Sequence, residues 1–142
     1  MVLRIQKIQG QWFRENDSET HEKLKKILKR VIKFINKNTI EIKDKKNPVL
    51  IGRHSPLSRE KGNSIVFDHD HISANHAALQ YQKREWKWLD FSTNGSYIQR
   101  QNNSRITLFK GGSMVPLQEG DVITLGSEVI KAPIVQIEII EV

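Results

Sequence analysis

The sequence lacks several features that define specialised classes of protein. None of its 142 residues is cysteine, which excludes a disulfide framework and thiolate chemistry. No apolar run approaches the roughly 20 residues that cross a bilayer. The opening MVLRIQKIQGQWF has no secretory-signal layout of basic and then apolar residues. The length fits one domain with a real hydrophobic core, and we expect a cytoplasmic, or at least intracellular, protein with no signal peptide, transmembrane segment or membrane association.

Negative charge is scarce in the first third of the chain. Residues 1–47 hold 13 Lys/Arg and 6 Asp/Glu, whereas residues 48–142 hold 10 of each, so the net charge of +7 belongs to the first segment. A basic segment is compatible with nucleic-acid binding. Here, however, the basic residues of HEKLKKILKRVIKF alternate with aliphatic residues rather than with stacking aromatics. The pattern favours the solvated face of an amphipathic segment and makes nucleic acid an unlikely partner.

A helix is predicted in RENDSETHEKLKKILKR, near the start of the chain. Asn16 and Glu19 have the spacing of a capping box. Apolar residues then recur with helical spacing at Leu24, Ile27, Leu28 and Val31. The sequence does not fix where this helix ends, because RVIKFI could continue the helix or begin a strand. Its β-branched residues and the turn-like NKN that follows favour a strand, which would pair with TIEIK (39–43) as a hairpin.

The rest of the chain predicts short strands separated by turns. Residues 2–13 give only a weak extended signal. After the hairpin, strands are predicted at 49–53, 64–67, 76–82, 85–91, 96–100, 105–109, 121–126 and 134–142. No helix-length periodic segment interrupts residues 39–142. This spacing predicts an all-β fold, an antiparallel sandwich or barrel, preceded by the short N-terminal helix.

Three polar loops are candidates for a binding site. They carry GRHS (52–55), DHDHISANH (68–76) and STNGS (92–96). Loops at one end of a sandwich commonly bind ligands. An arginine fork and hydroxyl donors suit a phosphate, and an asparagine side chain can hold the backbone of an extended peptide. The Asn94-Gly95 pair in addition predicts a tight hairpin turn that presents the neighbouring hydroxyls as one wall of the pocket.

The order of the motifs resembles the forkhead-associated (FHA) domain family. The matching stretches are IGR (51–53), ISANHAAL (72–79), DFSTNGSYI (90–98) and LQEGDVITLG (117–126). The resemblance covers about residues 29–142, and residues 1–28 become an N-terminal extension that carries the basic amphipathic helix. It implies an eleven-stranded β-sandwich that binds phosphothreonine in a partner protein or peptide, as a module of phosphorylation-dependent signalling.

The resemblance also implies a role for individual residues. Arg53 corresponds to the arginine that contacts the phosphate, and Ser73 to the serine that hydrogen-bonds it. Thr93 corresponds to a hydroxylic residue that helps to close the phosphate pocket. Asn94 corresponds to the asparagine that holds the peptide backbone. These four residues are the expected phosphopeptide-binding set.

Three further residues correspond to positions that shape the site: Gly52, His76 and the turn glycine Gly95. The chain departs from the family at Ala74-Asn75, where many members carry a basic residue that contacts the phosphate. Loss of one charge-assisted hydrogen bond costs about 1.5–3 kcal/mol. We therefore expect weaker binding, or binding that depends on other contacts.

Other functions find less support in the sequence. The stretch His69-Asp70-His71, with Asp68 and His76 nearby, has the composition of a metal site, but closely spaced histidines in a polar loop are more often ordinary loop residues. No metal or other cofactor is expected.

An enzyme is not expected either, since the chain lacks a Gly-x-Ser-x-Gly elbow, a phosphate-binding Gly-rich loop and an HExxH motif. Ser73 and His76 have the residue types of a nucleophile and base, but no orienting acid is apparent. The alternative that remains is a phosphate-independent scaffold with the same β-sandwich, because a fold does not fix a function.

Overall fold

The computed structural model describes residues 2–10, 32–36, 38–53, 64–67, 69, 71–108, 114–126 and 135–142. All regular structure in these residues is β-strand. The twelve strands are β1 (Leu3–Gln9), β2 (Ile32–Asn36), β3 (Thr39–Ile42), β4 (Val49–Arg53), β5 (Ser64–Phe67), β6 (Ala77–Gln82), β7 (Glu85–Asp90), β8 (Ser96–Gln99), β9 (Arg105–Leu108), β10 (Met114–Pro116), β11 (Val122–Leu125) and β12 (Val135–Glu141). The predicted helix falls in residues 11–31, outside the described residues.

The strands form two sheets, which confirms the all-β sandwich. The larger sheet has seven strands in the order β2-β3-β1-β12-β11-β8-β9, and the smaller has five in the order β10-β7-β6-β4-β5. The predicted β2–β3 hairpin is present. Strands β2 to β12 lie within residues 29–142 and supply the eleven strands that the resemblance implies. The described pairs are antiparallel except β4–β5, which is parallel, so the prediction of an antiparallel sandwich is wrong for this pair.

Strand β1 is the twelfth strand, and it lies inside the larger sheet. It pairs with β3 on one side, where Leu3 faces Ile42, and with β12 on the other, where Arg4 faces Glu141. Leu3 and Ile5 are fully buried in the core. The segment expected to be an extension, residues 1–28, therefore contributes an interior strand to the sandwich.

Alternating apolar residues build the core between the two sheets. In β12, Val135, Ile137 and Ile139 are buried, and in β7 the same period-two alternation buries Trp86 and Trp88. Successive side chains of a strand point to opposite faces, so this pattern directs one face of each strand inward. Complete burial of such a side chain stabilises the fold by about 1.5–3 kcal/mol. The core holds the loops of the candidate site at one end of the sandwich.

Two further features of the fold differ from the sequence prediction. Strand β10 has three residues and ends in Pro116, so it offers no alternation to recognise, and it lies at a sheet edge, where proline is tolerated. The predicted hairpin at Asn94-Gly95 is wrong, because β7 pairs within the smaller sheet and β8 within the larger one. The segment around Asn94 instead connects the two sheets. Gly95, with φ of 83°, supplies the left-handed conformation at this connection.

No helix long and apolar enough to cross a membrane is found in the part of the chain that the structure describes.

Candidate functional site

Three segments meet at the end of the sandwich where β4 finishes. The Arg53 backbone N–H donates to the Ser73 carbonyl at 2.9 Å. The Thr93 backbone N–H donates to Ser73 Oγ at 2.9 Å, and Asn94 Nδ2 donates to the His71 carbonyl at 2.9 Å. These bonds bring together the four predicted binding residues Arg53, Ser73, Thr93 and Asn94, which we call the rim.

The rim faces solvent. Arg53, Thr93 and Asn94 are exposed, and Ser73 is half-buried. Within the described residues, the Arg53 guanidinium makes no ion pair or hydrogen bond. Ser73 Oγ accepts its bond from Thr93, so its own proton remains available to an acceptor outside the protein. The rim thus presents a cation and an oriented hydroxyl donor to a ligand.

Gly52 allows the loop that carries Ser73 to lie directly against β4. A Cβ atom built at Gly52 would be 2.0 Å from the Ala74 carbonyl oxygen and 3.2 Å from the Ser73 carbonyl oxygen. Both atoms belong to the backbone and cannot rotate away. A residue larger than glycine would therefore push this loop off the end of β4 and displace Ser73 from Arg53.

His76 holds the same loop from inside the protein. Its ring is fully buried, and its Nδ1 accepts a hydrogen bond from the Ser73 backbone N–H at 3.2 Å. Because Nδ1 is an acceptor, Nε2 carries the proton of the neutral ring and donates it to Ser96 Oγ at 2.7 Å. His76 thereby links the Ser73 loop to the first residue of β8, in the other sheet.

Burial keeps this ring neutral. The pKa of His76 is lowered from 6.5 to about 4, chiefly because burial desolvates the charged ring; the neighbouring His71 acts in the same direction, whereas Asp90 acts in the opposite one. A neutral ring preserves the acceptor at Nδ1 on which the position of Ser73 depends.

Two hydroxyls expected in the pocket wall are buried instead. Ser92 is fully buried, and its backbone N–H donates to Asp90 Oδ1 at 3.0 Å, while its hydroxyl donates to the same oxygen. Ser96 is 2% exposed and bonds to His76. The prediction that these hydroxyls line the pocket is therefore wrong. They fix the connection that carries Thr93 and Asn94.

The sequence analysis missed the anchor of this connection, the buried carboxylate of Asp90. Its Oδ2 accepts a hydrogen bond from Trp88 Nε1 at 3.0 Å, and its Oδ1 accepts the two bonds from Ser92. The Asp-x-Ser spacing at the end of a strand is the available signal, because aspartate commonly bonds the backbone two residues onward. This network is shielded from solvent, so it positions the rim and does not contact a ligand.

The histidines considered as metal ligands do not form a metal site in the described part of the chain. No group of three or more His, Asp or Glu side chains there could hold an ion. The rings of His69 and His71 lie with their centroids 5.7 Å apart. Asp68 and Asp70 are outside the described residues.

Comparison of the fold with solved structures gives matches to FHA domains. The solution structure of the FHA domain of an Arabidopsis thaliana hypothetical protein matches with a TM-score of 0.57 and 20% identity, over 99% of this chain and 87% of that chain. The FHA domain of CT664 from Chlamydia trachomatis matches with a TM-score of 0.55 and 12% identity, over 100% of this chain and 99% of that one. At these identities the likeness establishes the fold alone.

A third match is the N-terminal FHA domain of Saccharomyces cerevisiae Rad53p, solved in complex with a phosphothreonine peptide. Its TM-score is 0.51 and its identity 22%, over 69% of this chain and 71% of that chain. Curated protein sequences give no significant match. The sequence profile of the FHA domain, however, matches residues 49–126, a segment that contains the whole rim and more than half of the chain. The chain therefore belongs to the FHA domain family.

Proposed function

We propose that this protein binds a phosphothreonine-containing segment of a partner protein at the rim, as an interaction module without catalytic activity. The observation that carries the proposal is the convergence of Arg53, Ser73, Thr93 and Asn94 through backbone and side-chain hydrogen bonds at one end of the sandwich. They lie on three segments far apart in sequence, and each of the three bonds joins two of those segments. Family membership supports the same function, since FHA domains are known for binding phosphothreonine peptides.

Arg53 and Ser73 have the chemistry that a phosphate monoester requires. The guanidinium offers several N–H donors in a planar fork that matches two phosphate oxygens. The Ser73 hydroxyl can donate to a third oxygen, because its acceptor role toward Thr93 fixes the oxygen and leaves its proton to the ligand. The exposed hydroxyl of Thr93 lies on the residue that bonds Ser73 and closes the same side of the anion.

Asn94 has the groups to hold the peptide rather than the phosphate. One N–H of its side-chain amide is bonded to the His71 carbonyl, which orients the amide plane. Asn94 is exposed, so its Oδ1 and its second N–H can pair with a backbone N–H and C=O of an extended peptide. In this proposal Arg53 selects the phosphorylated state and Asn94 adds affinity for the chain that carries it.

The first experiment measures binding of matched phosphothreonine and unphosphorylated peptides, selected from an oriented phosphothreonine library. Arg53→Ala is expected to weaken phosphopeptide binding at least a hundredfold, because the substitution removes a charge-assisted, bidentate interaction with phosphate. Arg53→Lys should restore only part of the affinity. The thermal midpoint should stay nearly unchanged. Arg105→Ala is the matched control, since it removes an exposed arginine that is not part of the rim and that stacks on Tyr97.

Asn94→Ala should weaken the phosphopeptide while the competition constant of free inorganic phosphate stays the same. Equal losses for peptide and phosphate would contradict the role given to Asn94. Equal binding of phosphorylated and unphosphorylated peptides by the unmodified protein would contradict the whole proposal and favour a phosphate-independent scaffold.

A further inference from the structure

A group of exposed cations lies at the end of the sandwich opposite the rim. Strands β4 and β6 are antiparallel, with Val49 facing Leu79 and Ile51 facing Ala77. The residues before β4 and after β6 therefore lie at the far end from Arg53. At about 3.3 Å per residue, the six residues of β6 separate the two ends by roughly 20 Å.

These cations lie on the β3–β4 loop and on the turn of the β6–β7 hairpin. A contact between the loop and the hairpin holds the two together. The Lys45 ammonium lies 4.9 Å from the centroid of the Tyr81 ring, and the Tyr81 ring packs edge-on against Trp86 at 5.3 Å. The β3–β4 loop thus rests on the β6–β7 hairpin. The group, which we call the basic pole, consists of Lys43, Lys45, Lys46, Lys83 and Arg84.

Among the residues that the structure describes, the charge of the basic pole is not neutralised by ion pairs. All five side chains are exposed, and none forms an ion pair with a carboxylate in the described segments. Residues 43–48 and 82–85 hold these five cations and two carboxylates, a net charge of +3. One of the carboxylates, Asp44, accepts bonds from the Asn47 side chain at 3.0 Å and the Lys46 backbone at 2.7 Å, and these bonds lower its pKa. Asp44 shapes the loop through these bonds, and the nearby charge of Lys46 lowers the same pKa by a smaller amount.

Two residues of the basic pole, Lys83 and Arg84, adopt an unfavourable backbone conformation at the turn between β6 and β7. Lys83 and Arg84 have φ of 53° and 65°, the left-handed conformation required at both central residues of a type I′ turn. Asn-Gly is the favoured pair there, because glycine has no Cβ and the short side chain of asparagine can hydrogen-bond locally, whereas longer side chains raise the energy of the conformation. Strained backbone persists most often where the residues serve a function. The two cations therefore point to a binding surface.

We propose that the basic pole binds the sugar-phosphate backbone of a nucleic acid. Folded protein partners usually anchor on buried aromatic or aliphatic side chains. The large exposed hydrophobic side chains among the described residues, Ile8, Ile35, Phe91 and Ile140, do not belong to these two connections. Phosphate groups need only charge and hydrogen-bond donors. The sequence argument against nucleic acid concerned residues 21–34, and the basic pole lies outside that segment.

The test is fluorescence anisotropy of the full chain with a labelled short DNA duplex over a range of salt concentrations. The double variant Lys83→Asn with Arg84→Gly removes two charges and also supplies the residues that the turn favours. We expect binding at low salt to weaken at least tenfold. The magnitude of the slope of log K against log salt should fall by about 2, since each neutralised phosphate contributes roughly 0.9 to the slope. The thermal midpoint should rise, and phosphothreonine-peptide affinity should not change.

The matched control is Lys87→Gln with Arg105→Gln, which removes one lysine and one arginine outside the basic pole. It should leave the slope and the affinity for DNA near those of the unmodified protein. Equal weakening by both double variants would overturn the proposal in favour of diffuse attraction by net charge. Unaltered DNA binding by the Lys83/Arg84 variant, or no binding by the unmodified protein, would also overturn it. Competition by poly-glutamate as strong as that by DNA would reassign the surface to acidic protein segments.

Discussion

The turns at the two ends of the sandwich differ in how well their sequences match their conformations. Asn94-Gly95 has the sequence of a tight hairpin, yet it lies in a connection between two sheets. Lys83-Arg84 has no turn signature, yet it forms a two-residue hairpin with both residues left-handed. Strand pairing explains the difference. The pairing of β6 with β7 fixes the Lys83-Arg84 turn from both sides, whereas Asn94-Gly95 is held by tertiary hydrogen bonds that no local pattern encodes.

The comparison also separates two ways of presenting polar side chains. The rim rests on a buried network of His76, Ser96, Asp90 and Ser92, so its geometry depends on groups that do not contact ligand. The basic pole rests on a short hairpin and one cation–π contact. We therefore expect substitutions beneath the rim to cost stability, and substitutions at the basic pole to cost little or to stabilise.

Gly52→Ala should have the largest effect, a destabilisation of about 3 kcal/mol, because the new Cβ would meet the Ala74 carbonyl oxygen at 2.0 Å. Phosphopeptide binding should fall in the same variant, since the Ser73 loop moves away from Arg53. Denaturant unfolding and peptide titration measure the two losses. A matched control is Ala78→Gly in β6, which removes a buried methyl group from the strand next to β4 and leaves the Ser73 loop unaltered. Unchanged stability of Gly52→Ala would show that the loop can shift freely.

The buried His76 predicts that acid destabilises the protein. Its pKa is about 4 when folded and 6.5 in the unfolded reference, so between these values the unfolded chain binds one more proton. Stability therefore falls as the pH is lowered through this window, by up to about 1.4 kcal/mol per pH unit and about 3 kcal/mol in all. Burial raises the pKa of Asp121 above 3.8; this carboxyl favours the folded state as it protonates and offsets part of the loss.

His76→Gln isolates the contribution of the histidine. The variant should be less stable than the unmodified protein at pH 7, and its stability should change less between pH 6.5 and 4. Denaturant unfolding at several pH values gives both curves, and the Asp121 contribution cancels in their difference. Parallel curves for the two proteins would mean that His76 is not the group that titrates.

Substitution in the hairpin at the basic pole should increase the stability of the protein, whereas the substitutions beneath the rim decrease it. Lys83→Asn with Arg84→Gly relieves left-handed strain, which costs about 1–2 kcal/mol for an ordinary residue. The relief is complete at the new glycine and partial at the new asparagine, whose short side chain can hydrogen-bond locally. Part of the gain is offset by the added chain entropy of glycine, so we expect a net stabilisation of about 1 kcal/mol. Denaturant unfolding at high salt, where charge repulsion is screened, measures the backbone effect alone. A loss of stability would show that the lysine and arginine side chains stabilise the turn.

Ala74→Arg should give a change of similar small size, a tightening of phosphothreonine-peptide binding by about 1 kcal/mol or more. Ala74 is exposed and directly follows Ser73, so a long basic side chain there can add one charge-assisted contact, less its ordering entropy. Calorimetry should show that the gain shrinks as salt rises and is absent for the unphosphorylated peptide. Equal tightening of both peptides would indicate non-specific charge, and no change would mean that residue 74 points away from the ligand.

Patterns in the sequence predicted the strands well where alternation was strong. The runs TIEI, EWKWLD and VQIEIIE form strands close to their expected bounds. The order of motifs predicted the family and the residues that meet at the rim. The short β10 and the parallel β4–β5 pair were not predicted, because neither has a periodic signal. The buried roles of Ser92 and Ser96 depend on Asp90 and His76 as partners, and local composition does not reveal which hydroxyls find such partners.

The position of β1 has a consequence for the order in which the chain folds. Among the described strands, β1 is the link between the β2–β3 hairpin and the rest of the larger sheet. Its residue Arg4 pairs with Glu141, a contact between distant parts of the chain that forms slowly because closing a long loop costs entropy. During synthesis, the side of β1 that faces β12 stays unpaired until β12 has left the ribosome. An unpaired strand edge is a template for pairing with other chains, so the growing chain is prone to aggregate until β12 has paired with β1.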